Sequence, residues 1–203
     1  MFDVNAEIEV TARPASAGGV PTAISLRFPT DEEWAVRQRS RKIIIRRLGR
    51  GRSEVVAPEP SQADLTLFEK ITTNGAPTLT PAEAAKVLEA LATADVNSVA
   101  IEGSTATVEM ETMAGKVVHT LKVPTADQVI RFRRSAFRMI ELPYNQQELR
   151  QSPDAGARLY DECGGSSADY EGAIPALHKD AAVRGVIDDV DRQLAPKKDE
   201  ENF

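Results

Sequence analysis

The chain has one cysteine, Cys163, and only two histidines, His119 and His178, among its 203 residues. A lone thiol excludes an internal disulfide framework, and two imidazoles with one thiol leave no Cys/His metal cluster. No apolar run approaches the roughly 20 residues that a membrane helix needs. The N-terminal stretch MFDVNAEIEV does not have the make-up of a signal peptide, which points to a protein that is cytosolic where it is made. A surplus of positive charge is missing too. The 25 Lys and Arg stand against 31 Asp and Glu, a formal net charge of −6, whereas a dedicated nucleic-acid binder usually presents basic surface overall.

What is present is a charge split. Residues 30–52, TDEEWAVRQRSRKIIIRRLGRGR, hold the only tryptophan, Trp34. They carry eight Lys and Arg against Asp31, Glu32 and Glu33, a net of +5 that leaves −11 on the remainder. Thr30 and Glu33 have capping-box spacing, the three acids suit the positive end of a helix dipole, and Arg46 and Arg47 suit the negative end. With Gly49 as a left-handed terminator, these signals predict one helix over 31–48. On it, Trp34, Ile44, Ile45 and Leu48 fall within an arc of about 100°, with Arg37 and Arg41 between them. Arg39, Lys42 and Arg46 form a separate cationic stripe. The candidate partner-binding residues are therefore Arg39, Lys42, Arg46, Arg47, Arg50 and Arg52. Because the rest of the chain is acidic, a basic helix meeting acidic protein, on a neighbouring copy or an assembly partner, outweighs one meeting nucleic acid.

A chain of this length suits one domain with extensions or two small ones. Residues 4–12 alternate apolar and polar, and Thr22–Phe28 reads as the returning strand of a hairpin. A short third strand is possible at 53–56. Residues 62–72 form a short amphipathic helix on Leu65, Phe68 and Ile71. Thr80, Pro81 and Glu83 open a helix over 81–93, and three alternating runs at 97–102, 106–112 and 116–123 form an antiparallel meander. Pro124-Thr125, with Gln128 at the box position, opens a helix running to about Leu142, with Val129, Phe132, Ala136 and Ile140 inward. Asn145 is placed to cap a short helix, Ser152-Pro153 starts one to Cys163, and a last helix spans about 174–194. The expected fold is α+β: an N-terminal β-hairpin with a basic helix (1–58), a central α+β part with a small antiparallel meander (62–142), a helical C-terminal third (143–194) and a charged tail (195–203).

Chemistry is sparse. Gly49-Arg50-Gly51 lacks the Lys-Ser/Thr of a P-loop and follows its helix instead of preceding one, so helix closure outweighs phosphate binding. Cys163 and His178 are the one pair of nucleophile and base types, but Cys163 sits at a helix end beside a glycine joint, as structural cysteines do. His119 lies in an alternating strand, where a half-buried or exposed histidine is the default. Asp161-Glu162 and Asp188, Asp189 and Asp191 read as solvated helix faces. No aromatic residue interleaves the cations of 37–52 to stack on bases. The residues point to no enzyme, no cofactor, no metal and no membrane partner.

Three segments, LRFPTDEEWAVRQRSRKIIIRRLGRGRSE (26–54), LPYNQQELR (142–150) and YEGAIPALHKDAAVRGVID (170–188), resemble proteins encoded among phage and prophage structural genes. The resemblance implies a virion or tail-region component, found in the particle or in host cytoplasm during assembly. Its partners would be other virion or tail proteins or copies of itself. The alternative is a nucleic-acid-binding accessory protein using the arginines of 37–52.

Overall fold

The computed structural model describes residues 1–40, 43–49, 52–56, 60–75, 77–113, 115–144 and 146–194. A two-residue strand, Phe2–Asp3 (β1), is followed by the hairpin Glu7–Ala12 (β2) and Thr22–Arg27 (β3). The first helix is Asp31–Ser40 (α1), and strands Ile43–Gly49 (β4) and Arg52–Val56 (β5) come next. Helices Gln62–Ile71 (α2) and Pro81–Leu91 (α3) lead into the meander Ala94–Glu102 (β6), Thr105–Thr112 (β7) and Gly115–Lys122 (β8). Ala126–Ala136 (α4) runs into the hairpin Phe137–Leu142 (β9) and Gln146–Gln151 (β10). The chain closes with Ala155–Glu162 (α5), Tyr170–Glu171 (β11) and Ala176–Leu194 (α6). The class is α+β, built on small sheets that are antiparallel apart from the short parallel pair β1–β11.

Helix starts follow their caps. Thr30 and Glu33 bond reciprocally ahead of α1, Thr80 and Glu83 ahead of α3, and Thr125 and Gln128 ahead of α4. Each pair satisfies two amide donors that the first turn leaves open. The meander forms where alternation places it, with Ala106, Val108 and Met110 of β7 and Val117, His119 and Leu121 of β8 turned inward. Helix α6 packs on that inner face against β6 and β7, and α5 packs against α6 so closely that a Cβ on Gly156 would overlap Asp180.

Two expected helices are shorter than their periodicity suggested. The helix expected over 31–48 ends at Ser40, and Ile43–Gly49 is a strand instead. Three consecutive β-branched residues, Ile43, Ile44 and Ile45, are stiff in a helix and well suited to a strand, and β10 pairs with them. Arg46 and Arg47 are thus strand residues, and Gly49 pairs with Arg52 at the end of a hairpin without capping any helix. The helix expected to reach Leu142 ends at Ala136, and Phe137–Leu142 pairs with β10. The segment LPYNQQELR, expected to hold a short helix, supplies the β9–β10 turn and β10 itself; Asn145 lies outside the described residues.

Candidate interaction surface

The two unexpected hairpins join into one four-stranded sheet in the order β5-β4-β10-β9. Directly paired residues share a face and neighbours along a strand alternate. One face therefore carries the rows Val56–Ile44–Glu148–Ile140 and Glu54–Arg46–Gln146–Leu142, with Arg150 opposite Arg138. The other carries Val55–Ile45–Gln147–Glu141 and Ile43–Leu149–Met139, with Arg47 and Ser53. Of all these apolar side chains none belongs to the hydrophobic core; only Phe137, at the root of β9, packs against it. Both hairpin turns lie at the opposite end, because Arg46 near the end of β4 pairs with Gln146 at the start of β10. There Leu48 is 59% exposed, and Tyr144, with φ of 62°, is 92% exposed.

The candidate cations divide across this sheet. Arg39 is exposed on α1, Arg46 and Arg47 stand on opposite faces of β4, and Arg52 begins β5; Lys42 and Arg50 lie outside the described residues. Arg39 and Arg46 do not share the helical stripe expected of them, because α1 ends at Ser40 and Arg46 stands on a strand. Arg46 reaches Glu54 at 3.6 Å and Arg47 reaches Glu141 at 3.6 Å, both in solvent. Such pairs contribute little, of order 0–1 kcal/mol.

Inside the body, two polar arrangements went unseen in the sequence. Arg37, expected on an apolar seam, is buried, and its Nε donates to Asp64 Oδ1 at 2.7 Å while its guanidinium lies 4.6 Å from the Trp34 ring. Burial pushes the Asp64 carboxyl up, but the Ser61 amide and Arg37 more than reverse this, and its pKa ends below the usual range. Asp64 also accepts from the Ser61 amide, so one carboxylate caps α2 and anchors α1 to it. The visible signal was the spacing of Ser61 and Asp64, which is that of a capping box.

The second is a chain of four buried groups. Tyr160 Oη lies 2.9 Å from His119 Nδ1, His119 Nε2 lies 3.0 Å from Tyr170 Oη, and Tyr170 Oη lies 2.9 Å from His178 Nδ1. His119, expected half-buried or exposed, is fully buried, since it occupies the inward register of β8 beside Val117 and Leu121. Four neutral groups bring one hydroxyl or ring proton each to three hydrogen bonds. The chain can run head to tail in either direction, with one proton left over at an end. Burial drives the pKa of His119 and of His178 down to about 4 and raises those of both tyrosines.

No hydrogen bond joins Cys163 to His178 among the described residues. Cys163 is buried at the end of α5, which raises its thiol pKa, and the Nδ1 of His178 is engaged by Tyr170. The carboxylates of the helical third face cations: Asp161 pairs with Lys179, Glu162 with Arg131, Asp189 with Arg192 and Asp191 with Arg133. Among the described residues no cluster of His, Cys, Asp and Glu has the make-up of a metal site, and no helix is long and apolar enough to cross a membrane. An open groove of about 560 Å³ between α1 and α2 is lined by Val36, Leu67, Lys70 and Glu33; the Glu33 carboxyl, held well below its usual range by Arg27, is already engaged by Arg27 and Lys70. No protein-family model, curated protein or solved structure matches the chain.

Proposed function

We propose that the protein is a non-enzymatic structural or assembly component of a phage or phage-like particle, associated with the tail, that works through protein–protein contacts. The observation that carries the contact role is the β5-β4-β10-β9 sheet, which holds aliphatic side chains on both faces and packs almost none of them into its own core. Leu48, Val55 and Met139 are exposed and the sheet's other aliphatic residues half-buried, and soluble proteins rarely leave a large apolar surface open unless something else covers it. An exposed tyrosine at the tip, Tyr144, is a residue type that anchors interfaces. The particle assignment rests on the sequence resemblance of 26–54, 142–150 and 170–188.

Mass spectrometry of purified particles, and of assembly intermediates from the same lysate, tests this reading. The chain is expected in one or both, at a fixed ratio to tail proteins. Absence from both overturns it. The nucleic-acid alternative predicts binding whose log affinity falls steeply with log salt. Against it, Arg46 and Arg47 point to opposite faces and each has a carboxylate partner.

A further inference from the structure

Two places in the structure set like charges directly across from each other on neighbouring strands, an arrangement that destabilises a sheet. On the four-stranded sheet, Arg138 of β9 faces Arg150 of β10. Arg150 bonds to Glu148 at 2.8 Å, whereas Arg138 has no ion pair among the described residues. On the meander, Asp95 of β6 faces Glu111 of β7. These two acids lie on the outer face, opposite the face that α6 covers, together with Glu102 and Glu109. Lys116 and Lys122 share that face, so acids outnumber cations there, and none of the four acids has an ion pair among the described residues. Exposed Val118 and Ala100 give it apolar ground between the charges.

The same partition holds for the whole sequence. Residues 43–56 and 137–151 carry six arginines against Glu54, Glu141 and Glu148, a net of +3, so the rest of the chain carries −9; on the face in question Arg46, Arg138 and Arg150 stand against Glu54 and Glu148. The two surfaces also match in size. With strands about 4.8 Å apart and residues about 3.3 Å apart, four strands of six residues and three strands of eight each cover roughly 400 Å². Within its own sheet Glu111 already faces Lys116 on β8 and Arg150 already bonds Glu148, whereas Asp95 and Arg138 have no ion pair among the described residues; contact between the two surfaces brings these opposite charges together.

We propose that the Arg46, Arg138 and Arg150 face of the four-stranded sheet stacks on the Asp95, Glu109 and Glu111 face of the meander of a second copy of this chain. This deepens the assembly reading above and rests on it for the setting, though not for the chemistry. The contact is head to tail, because the two surfaces differ, so each copy gives one surface and receives the other. Such heterologous contacts build rings where the rotation closes and filaments where it does not. Each contact buries roughly 800 Å² in total, below the 1,200 Å² or more of stable pairwise complexes. One contact is therefore weak, and repetition around an assembly makes it hold.

Sedimentation equilibrium of the full chain across its soluble concentration range, at low and high salt, tests the proposal. Expected is reversible association that weakens with salt, with Arg138→Glu or Glu111→Arg raising the dissociation constant by about tenfold or more. The chain carrying both reversals recovers the affinity, as does an equimolar mixture of the two single variants. Both residues are on exposed or half-buried sheet positions, and circular dichroism and thermal midpoints check that each variant folds; Arg138→Gln and Glu111→Gln provide milder versions. A chain that stays monomeric throughout, or single reversals without effect, or a double reversal without recovery, each overturns the contact. An undiminished dimer in Glu111→Arg that is lost in Arg138→Glu assigns the sheet to a copy of itself and also overturns it. A monomeric chain found in particles leaves the assembly reading standing alone, and self-association through this contact in a chain absent from particles and intermediates does the converse.

Discussion

His119 and His178 are buried without a carboxylate bonded to either ring, and each is linked through the hydroxyl of Tyr170. Both hydrogen-bond chains that the geometry permits use neutral imidazoles. On His119, whose two ring nitrogens are both engaged, an added proton would place a second donor in a bond that already has one; the Nε2 of His178 has no hydrogen-bond partner among the described residues, and there it is burial that opposes the charge. Their folded pKa values near 4 lie below the ordinary 6.5. The unfolded chain therefore binds protons that the folded chain refuses. The stabilisation is complete above pH 6.5, falls as the pH drops toward 4, and levels off below it. At about 1.4 kcal/mol per pKa unit, each histidine is worth up to about 3 kcal/mol. Urea unfolding is expected to show stability lower by about 3–4 kcal/mol near pH 5 than near pH 7, and His178→Gln to remove about half of that difference. A flat profile between those values would mean that the histidines titrate as exposed ones do. Glu33 is displaced downward and titrates below this window, and Tyr160 and Tyr170 are displaced upward, above it.

Elements were legible where a local signal met no rival. Thr30 with Glu33, Thr80 with Pro81 and Glu83, and Thr125 with Gln128 marked three helix starts, and alternation marked the meander. Helix ends were harder to see. A helical wheel through Ile43–Ile45 gathers Trp34 and Leu48 into a plausible seam, and nothing local reports that a strand 100 residues later offers a partner. Pairing between β4 and β10 is a tertiary fact, and propensity is a weak prior against it. The candidate surface was found by its charge and misjudged in its geometry, because a strand sends Arg46 and Arg47 to opposite faces. The same lack of core packing has a dynamic consequence. Gln147 and Glu148 of β10 are buried, but none of the sheet's aliphatic side chains is, and hydrogen bonds with little buried apolar packing around them open locally, without global unfolding. Amides of β4, β5, β9 and β10 are expected to exchange at least about a hundredfold faster than those of Val108 and Met110 in β7. In assembled particles that gap should narrow. Equal protection of both sheets in the isolated chain would show that this sheet is bound to the core after all.

Over the whole molecule, the N-terminal strand closes on β11 and α6 while the four-stranded sheet does not take part. Phe2 pairs in parallel register with Tyr170, and its ring packs 5.3 Å from Phe28, 5.4 Å from Tyr170 and 5.0 Å from His178. That side chain, 2% exposed, lies between the N-terminal hairpin, the buried histidine chain and α6. Phe2→Ala removes a ring that no other residue can replace, at a cost of about 3–5 kcal/mol. At about 2–4 °C per kcal/mol for a chain of this size, the thermal midpoint should fall by roughly 10 °C. The substitution should also reach the histidines. Water admitted beside His178 restores part of its basicity, so the variant loses stability less steeply on acidification than the wild type does. Melts near pH 7 and near pH 5 separate this from an ordinary cavity, which lowers both midpoints equally. The four-stranded sheet, outside the core that Phe2 completes, should keep its association behaviour wherever the variant remains folded. If association and core stability instead fell together, the surface that meets partners and the core that carries it would be one cooperative unit, contrary to the packing described here.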